Sequence, residues 1–391
     1  MGSVEMKWLL AKSFQTRLLR ILPFRTAAAS GPYLSLQRFI HRVGRGRRPH
    51  RFHLLRQQRI IQHQLFSIPL VLFSHFWLPS VTTAQMGSPG HGETQAVALH
   101  PTNPEIMYAG AAKGFCKTLK GGKDNWPVYG LDTLSPRVIA VSQTNHDLIY
   151  TGTYEMGMYK SEDAAISWKE INKGIPDLRI RALVIHPKDN QIVFVGTDGN
   201  GVFKTLNGGQ SWKEMNRGLV DKVIRTLVID PDSPDTLYVG TWHGIYFTVD
   251  GAETWSGDPD GIYDVDVRTL ALDPTDSNII YAGTQPRGVF RSMDGGKTWT
   301  AGAEPLTEQI ESIAIDPANP SHVYVGTKAG VFISKDRGDH FTSAGLRWSN
   351  HAWCLVFDAK TSPPTLYYGG VGGVLKTTNQ GHWWEVTGPK L

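Results

Sequence analysis

The chain has 391 residues and a formal net charge of +5, with 40 Lys and Arg against 35 Asp and Glu. This excess is local, because residues 1–90 hold 13 basic side chains and one acid, which leaves 27 basic and 34 acidic side chains in residues 91–391. A mildly acidic globular part lacks the basic face of a nucleic-acid-binding protein, so no nucleic acid is expected as a partner. The 41 Gly, 23 Pro and 12 Trp of the chain are typical of short strands joined by tight turns.

Residues 1–90 are predicted to form a basic leader outside the folded domain. Arg56 and Arg59 precede an apolar run from Leu65 to Leu78, and the small residues Thr82 and Ala84 follow it. The order of these features over residues 65–84 is that of a cleavable signal peptide. The run of 14 residues is short for a transmembrane helix. An uncleaved anchor is the alternative, and it is the only membrane attachment that the sequence suggests.

The Arg-rich, almost acid-free stretch before residue 54 is similar to an organelle transit peptide. A translation start placed too far upstream is the alternative interpretation. Under both interpretations residues 91–391 cross a membrane, so the sequence predicts an exported domain in a periplasm, an organelle lumen or the extracellular space.

One phrase occurs seven times after the leader, most clearly as Ser292-Met-Asp-Gly-Gly-Lys-Thr-Trp299. Successive copies begin 43, 44, 43, 44, 42 and 43 residues apart. A period near 40 indicates a solenoid, a propeller or an array. Each repeat contains four short apolar segments separated by turn residues, so the sequence predicts an all-β, seven-bladed propeller of four-stranded antiparallel blades over residues 91–391.

The repeated phrase is predicted to be a structural turn between the third and fourth strands of each blade. Its Asp or Asn can accept backbone N–H groups, its Gly supplies a positive φ, and its aromatic residue packs against the neighbouring sheet. The polar positions are Asp163, Asn207, Asp250, Asp294, Asp336 and Asn379, and the aromatic positions are Trp168, Trp212, Trp255, Trp299, Phe341 and Trp384. The first copy is degenerate, with Lys120 at the acidic position and Trp126 one residue late.

This Ser/Thr-x-Asp-x-Gly-x-Thr-Trp pattern resembles the Asp-box, or bacterial neuraminidase repeat. The repeat is shared by sialidases, xyloglucan-cleaving hydrolases, sortilin-type receptors and the photosystem II stability/assembly factor-like proteins. The resemblance covers residues from about 91 to 391 and implies the propeller fold with Asp-box hairpins. It implies no single activity, because these families perform unrelated functions on one scaffold.

The predicted ligand face is the rim that carries the connections between repeats, together with the mouth of the central channel. The residue directly before each inner strand is expected at this mouth. These residues are Gln95, Arg137, Arg181, Arg225, Arg268, Glu311 and Trp353. Four arginines around one channel repel one another unless anionic groups neutralise them, which favours an acidic partner or a carboxylate ligand.

Two other interpretations of these residues remain open from sequence. The arginines can pair with nearby loop acids such as Asp177, Asp221, Asp264 or Asp266 and serve a structural role. Trp242 and His243, in a turn on the same rim, form a site-like aromatic and titratable pair. An exposed aromatic that covers the next blade is the alternative for Trp242.

The sequence favours a binding protein over an enzyme. No pair of carboxylates is singled out for glycoside hydrolysis, and no nucleophile elbow, phosphate-binding loop or metal cluster is recognisable. Neither a cofactor nor a metal is predicted, and Cys116 and Cys354 are expected to be buried free thiols.

The first hypothesis is a monomeric scaffold or assembly factor that binds an acidic protein segment or extended peptide. The alternative is a polysaccharide-binding or glycoside-hydrolase-like propeller.

Overall fold

The computed structural model describes residues 93–387, apart from 113, 125, 258–259, 304–305 and 348–350. The predicted leader therefore lies outside the described residues. Those residues form seven antiparallel sheets that follow one another in chain order, each built from consecutive strands. The first strand of each sheet contacts the first strand of the next, so the inner strands surround a central channel. This confirms the seven-bladed β-propeller.

The strands follow the repeat period. Blade 1 contains β1 (Thr94–Leu99), β2 (Met107–Ala111) and β3 (Gly114–Thr118). Blade 2 contains β4 (Pro136–Val141), β5 (Ile149–Thr153), β6 (Met158–Ser161) and β7 (Lys169–Glu170). Blade 3 contains β8 (Ile180–Ile185), β9 (Val193–Thr197), β10 (Val202–Thr205) and β11 (Lys213–Glu214). Blade 4 contains β12 (Ile224–Ile229), β13 (Leu237–Thr241), β14 (Ile245–Thr248) and β15 (Ser256–Gly257).

The remaining three blades repeat this order. Blade 5 contains β16 (Asp266–Asp273), β17 (Asp276–Gln285), β18 (Val289–Ser292) and β19 (Thr300–Ala301). Blade 6 contains β20 (Ile310–Ile315), β21 (Val323–Thr327), β22 (Gly330–Ser334) and β23 (Thr342–Arg347). Blade 7 contains β24 (Ala352–Asp358), β25 (Thr365–Gly370), β26 (Gly373–Thr377) and β27 (Glu385–Val386). No helix in the described part of the chain is long and apolar enough to cross a bilayer.

Blade 1 departs from the four-stranded pattern. Its sheet has three strands, and a single bridge between Cys116 and Val128 stands where a fourth strand would pair. The degenerate phrase explains this difference, because Lys120 supplies no acceptor for the turn. Instead the Thr118 hydroxyl donates to the carboxylate of Asp124. The turn is therefore larger, and the segment after it returns to the sheet without regular pairing.

The repeated phrase forms the hairpin between the third and fourth strands, here named the box hairpin. In blade 5 the Ser292 hydroxyl donates to Asp294 at 2.9 Å and accepts the Gly296 N–H at 2.8 Å. The Asp294 carboxylate accepts both the N–H of Thr298 at 2.9 Å and its hydroxyl at 2.7 Å. Gly296 has a φ of +81°, which a Cβ would strain. The box hairpin is thus a closed hydrogen-bonded turn.

The aromatic residue of the box hairpin joins neighbouring blades. The indole N–H of Trp212 in blade 3 donates to the carbonyl of Ile171 in blade 2 at 2.7 Å. Trp168, Trp255 and Trp384 make the equivalent bond to the preceding blade, at 2.8, 2.8 and 2.7 Å. Trp299 differs, because its N–H donates to Gly296 of its own hairpin. Four of these tryptophans therefore add a directed polar contact to apolar packing between blades.

The ring closes by packing of blade 7 against blade 1. Within the described residues neither sheet contains a strand from the other end of the chain. Cys354 lies at this junction, and Cys116 is buried in blade 1; both are free thiols. Burial raises the pKa of each thiol to about 12, so neither is a reactive thiolate near neutral pH. Cys116 is buried as the sequence predicted, whereas Cys354 is partly exposed.

Acid is expected to destabilise the ring through the box hairpins. Hydrogen bonds from the residue four positions later lower the pKa of Asp163, Asp250 and Asp294 from 3.8 to about 2. A carboxylate with a depressed folded-state pKa stabilises the protein above its unfolded pKa, and this stabilisation disappears as the pH falls from about 4 to about 2. Asn207 and Asn379 show that an amide fits the same position.

A triple Asp→Asn variant at residues 163, 250 and 294 should therefore keep the fold at neutral pH. Its urea midpoint should fall less between pH 5 and pH 3 than that of the parent chain. An equal fall in both proteins would show that the box carboxylates contribute nothing to acid lability.

Candidate functional site

The seven residues predicted at the channel mouth occupy one equivalent position in the blades. In every blade the pairing of the first two strands skips one residue, a β-bulge. The skipped residues are Gln95, Arg137, Arg181, Arg225, Arg268, Glu311 and Trp353. The sequence interpretation placed them directly before the inner strands, which is wrong, because each lies inside its strand. A bulge redirects a side chain, here from the blade interface into the channel.

These same seven side chains line one cavity of about 120 Å³, here named the mouth. The other end of the channel is a wider cavity of about 670 Å³. Its walls are mainly apolar side chains of the inner strands, such as Val97, Ile139 and Leu183. The channel is therefore polar and narrow at one end and apolar and wide at the other, and charged recognition is concentrated at the mouth.

Three of the four mouth arginines are held by carboxylates. Arg181 makes two bonds to Asp198, at 3.1 and 3.2 Å. Arg225 bonds Asp266 at 3.1 Å, and Arg268 bonds the same carboxylate at 3.2 Å. The expected pairing with Asp266 is thus observed, whereas Asp177 pairs with Arg179 and Asp221 with His243. The charges of these arginines are neutralised by carboxylates, some from the same blade and some from the next blade.

Glu311 completes this network between blades 5, 6 and 7. Its carboxylate accepts from Arg268 Nη2 at 2.9 Å and lies 3.1 Å from His351 Nε2. The Gln309 amide also donates to it. Burial on its own would raise the pKa of Glu311, but the bond from His351 and the charge and bonds of Arg268 outweigh burial and hold that pKa below its usual value. Glu311 is therefore an ionised acceptor at neutral pH.

Aromatic rings fix the planes of the mouth side chains. The guanidinium carbon of Arg137 lies 4.4 Å from the ring centroid of Tyr154, and that of Arg181 lies 4.9 Å from it. His351 stacks on Trp353 with centroids 3.7 Å apart. Cation–π contacts of this kind hold a planar guanidinium in a defined orientation. The mouth is therefore preorganised before any ligand arrives.

Trp242 and His243 lie beside the mouth. Trp242 is 52% exposed, and the guanidinium carbon of Arg225 lies 5.0 Å from the centroid of its ring. His243 is held by Asp221, whose Oδ2 lies 2.9 Å from Nδ1 of the imidazole ring. Tyr263, which is 65% exposed, belongs to the adjoining loop, where Gly244 pairs with it. Trp242 and Tyr263 therefore present two exposed rings on neighbouring hydrogen-bonded loops.

Sequence reasoning missed three contributors to this region. Arg179 bonds both Asp177 and Asp198, His351 bonds Glu311, and Tyr263 adds a second exposed ring. The repeat alignment marks only equivalent positions, and these residues lie in blade connections of irregular length. Among the described residues no group of three or more His, Cys, Asp or Glu side chains is arranged to hold a metal ion.

Comparison with known proteins supports the fold. The family model described as Sortilin, neurotensin receptor 3 matches residues 157–285, from the turn before β6 to the end of β17. A search of curated protein sequences gave no match. Among solved structures, a GH74 enzyme of Niastella koreensis superposes with a TM-score of 0.64 at 18% identity, covering 78% of this chain and 55% of that one.

Two further structures extend the comparison. YCF48 bound to a D1 peptide superposes with a TM-score of 0.59 at 14% identity, covering 74% of this chain and 94% of that one. The extracellular domain of the putative one-component system BT4673 of B. thetaiotaomicron gives a TM-score of 0.59 at 15% identity, covering 72% and 38%. The chain spans about half the length of the GH74 chains. These likenesses confirm the resemblance to Asp-box-like propellers, and at such identities they show the fold alone.

Proposed function

We propose that this propeller is a non-catalytic binding module that captures an acidic protein segment or extended peptide at the mouth. The observation that carries the proposal is the convergence of seven bulge side chains, four of them arginines, on one preorganised cavity. A cavity of about 120 Å³ is too small for a folded partner and suits an inserted side chain or a short stretch of chain. Arginine recognises carboxylates with two parallel donors, which matches an acidic segment.

The state of the mouth carboxylates supports binding over catalysis. Glycoside hydrolysis needs one carboxyl group that is protonated and one that is free to act as base or nucleophile. Asp198, Asp266 and Glu311 all accept bonds from arginine. The lowered pKa of Glu311 is the opposite of what a general acid needs. The mouth thus lacks, among the described residues, a carboxyl group prepared for acid catalysis.

The relative with a bound D1 peptide is consistent with peptide binding by this fold, and the proposal extends that chemistry to the present chain. The GH74 relatives favour the alternative, a glycan ligand. That alternative is supported by the exposed rings of Trp242 and Tyr263, because sugars stack on exposed aromatic faces beside polar side chains. A glycan array that responds to Trp242→Ala, with no retention of acidic peptides, would favour it.

The proposed function is tested with the full-length chain and a peptide array of acidic sequences and their amide counterparts. The double variant Arg137→Ala/Arg225→Ala removes one arginine from each side of the mouth. It should lose at least about tenfold in affinity for acidic spots, because a charge-assisted bond contributes about 1.5–3 kcal/mol. Binding by the parent chain should also weaken as salt is raised.

The matched control is Lys188→Ala/Lys213→Ala, which removes the same net charge from exposed positions outside the mouth. It should bind like the parent chain. Equal losses of affinity in the two double variants would show that the effect is one of net charge alone. The proposal would be refuted if the parent chain bound none of the acidic spots.

Export of the domain is part of the proposal and depends on the leader sequence. The signal-like order over residues 65–84 supports it. Intact mass of the exported protein should place the mature N-terminus near Gln85. Recovery of the full 391 residues inside the producing cell would contradict it.

A further inference from the structure

The mouth is divided into two arcs of different character. The locked arc comprises Arg181, Arg225, Arg268 and Glu311 of blades 3–6, and every member takes part in an ion pair. The open arc comprises Trp353, Gln95 and Arg137 of blades 7, 1 and 2, which are consecutive around the closed ring. Arg137 forms no ion pair with any described residue, although its guanidinium is fixed over Tyr154.

The open arc holds three buried polar atoms without a protein partner. They are Trp353 Nε1, Gln95 Oε1 and Arg137 Nε, and none has a hydrogen-bond partner among the described residues. Each such atom costs free energy if it stays unpaired, about 1–3 kcal/mol in protein mutational data. All three side chains line the same small cavity, and they come from three adjacent blades. The locked arc contains no atom of this kind among the described residues.

The chemistry of these atoms defines the missing partner. Trp Nε1 and Arg Nε are donors and need acceptors, whereas Gln Oε1 is an acceptor and needs a donor. A simple anion such as chloride offers an acceptor only and leaves Gln95 unpaired. A peptide offers both, since its main chain carries a C=O and an N–H, and an acidic side chain adds a carboxylate for Arg137.

Aromatic exposure favours a peptide over a sugar at this arc. Sugar recognition uses a free ring face, but one face of Trp353 is stacked on His351, with ring centroids 3.7 Å apart. The ring of Tyr154 is likewise covered by Arg137. Trp242 and Tyr263, which are 52% and 65% exposed, lie outside the open arc, so a glycan would be expected there and not between blades 7 and 2.

We propose that the open arc is the peptide-reading part of the mouth, where Arg137 pairs with an Asp or Glu side chain while Gln95 and Trp353 turn their buried polar atoms toward the cavity and bond the peptide main chain. This inference rests on the proposed function and narrows it. The locked arc is then structural, and its arginines contribute to the electrostatic potential of the mouth without contacting the ligand. Recognition requires an internal acidic side chain and a neighbouring main-chain N–H.

The test uses short peptides that are acetylated and amidated, so that neither terminus carries a charge. An Asp-containing peptide, its Asn counterpart and a version with one N-methylated amide next to the Asp are titrated into the full-length chain. Binding is followed by NMR of the indole N–H signals, among which that of Trp353 is assigned with Trp353→Phe. The Trp353 signal should shift downfield with the Asp peptide, and affinity for the Asn peptide should be at least tenfold weaker.

Substitutions separate the two arcs. Arg137→Ala should weaken binding of the Asp peptide at least tenfold, Arg137→Lys should restore part of it, and Arg225→Ala should change it less than threefold. Gln95→Ala and N-methylation of the peptide should each weaken binding. Their combination should be no worse than either change alone, because both remove the same hydrogen bond, from the peptide N–H to Gln95. Thermal midpoints of all variants are measured alongside to verify folding.

The outcomes are distinguishable from failure of the proposed function. If capped acidic peptides bind but lose affinity in Arg225→Ala and not in Arg137→Ala, the open-arc inference is wrong and mouth binding stands. Unchanged affinity after N-methylation would remove the main-chain part of the inference. If no acidic peptide binds the parent chain, both proposals fail together.

Discussion

Replacement of Trp212 by Ala is expected to lower the free energy of unfolding by about 3–5 kcal/mol, the range for truncation of a buried aromatic residue. Trp212 is 6% exposed and packs into a core formed by residues of blades 2 and 3, including Tyr150 and Phe203. Its indole N–H is also the donor to the Ile171 carbonyl of blade 2. The variant therefore loses apolar contacts and leaves a carbonyl unpaired at a blade interface.

The hydrogen-bond part of this loss is separable with a matched pair of Trp→Phe changes. Trp212→Phe removes a bond between blades, whereas Trp299→Phe removes a bond of 3.1 Å inside one box hairpin. Urea unfolding should show the change at residue 212 to be more destabilising by about 1 kcal/mol. Equal losses would mean that the indole bonds do not tie the blades together.

Removal of Glu311 is the second change with a large expected effect. Its carboxylate is 6% exposed and is the acceptor for Arg268, His351 and Gln309. Glu311→Ala leaves the half-buried Arg268 with Asp266 alone, and breaking a buried ion pair costs about 3–5 kcal/mol. Glu311→Gln keeps part of the hydrogen bonding and should lose less. The changes are measured as urea midpoints and slopes at pH 7.

The pH dependence of this effect has a defined sign. The folded-state pKa of Glu311 is lowered, so its stabilising contribution is present above the unfolded pKa and is lost as the pH falls below it. The gap between the parent chain and Glu311→Gln should therefore narrow on acidification. The surface control Glu253→Ala, 59% exposed and 4.0 Å from Lys213, should stay within about 0.5 kcal/mol of the parent chain. A Glu311→Ala protein as stable as this control would contradict the locked arc.

The repeat made most of the fold predictable from sequence. The spacing of an Asp or Asn and an aromatic residue identifies every box hairpin except the first, although Ala165 and Ala252 occupy the positive-φ position where other copies have Gly. In blade 1 Lys120 occupies the usual acidic position, and Asp124 serves as the acceptor of the turn instead. This was not predictable, because it depends on how a longer turn folds back on Thr118. The bulge at each mouth residue was missed as well, since pairing register depends on the neighbouring strand.

The sequence predicted which residues form the candidate site, but not that they divide into a locked arc and an open arc. Alignment of the repeats identified all seven mouth residues, including Gln95 and Trp353. The sequence offered Asp266 as one of several candidate partners, but it did not reveal that Arg225 pairs with it from 41 residues earlier, or that Arg268 pairs with Glu311, 43 residues later. Such pairs join consecutive blades and depend on side-chain geometry across an interface. The contrast between locked and open arcs emerges only from that geometry.

Photo-cross-linking gives the most direct measure of where a ligand lies. An acidic peptide that carries a diazirine next to its Asp is bound to the full-length chain, irradiated and mapped by mass spectrometry. Binding at the open arc of the mouth predicts adducts at the first residues of β1, β4 and β24, reduced by excess unlabelled peptide and absent in Arg137→Ala. Adducts confined to the Trp242 and Tyr263 loops, or to the box hairpins, would contradict the account.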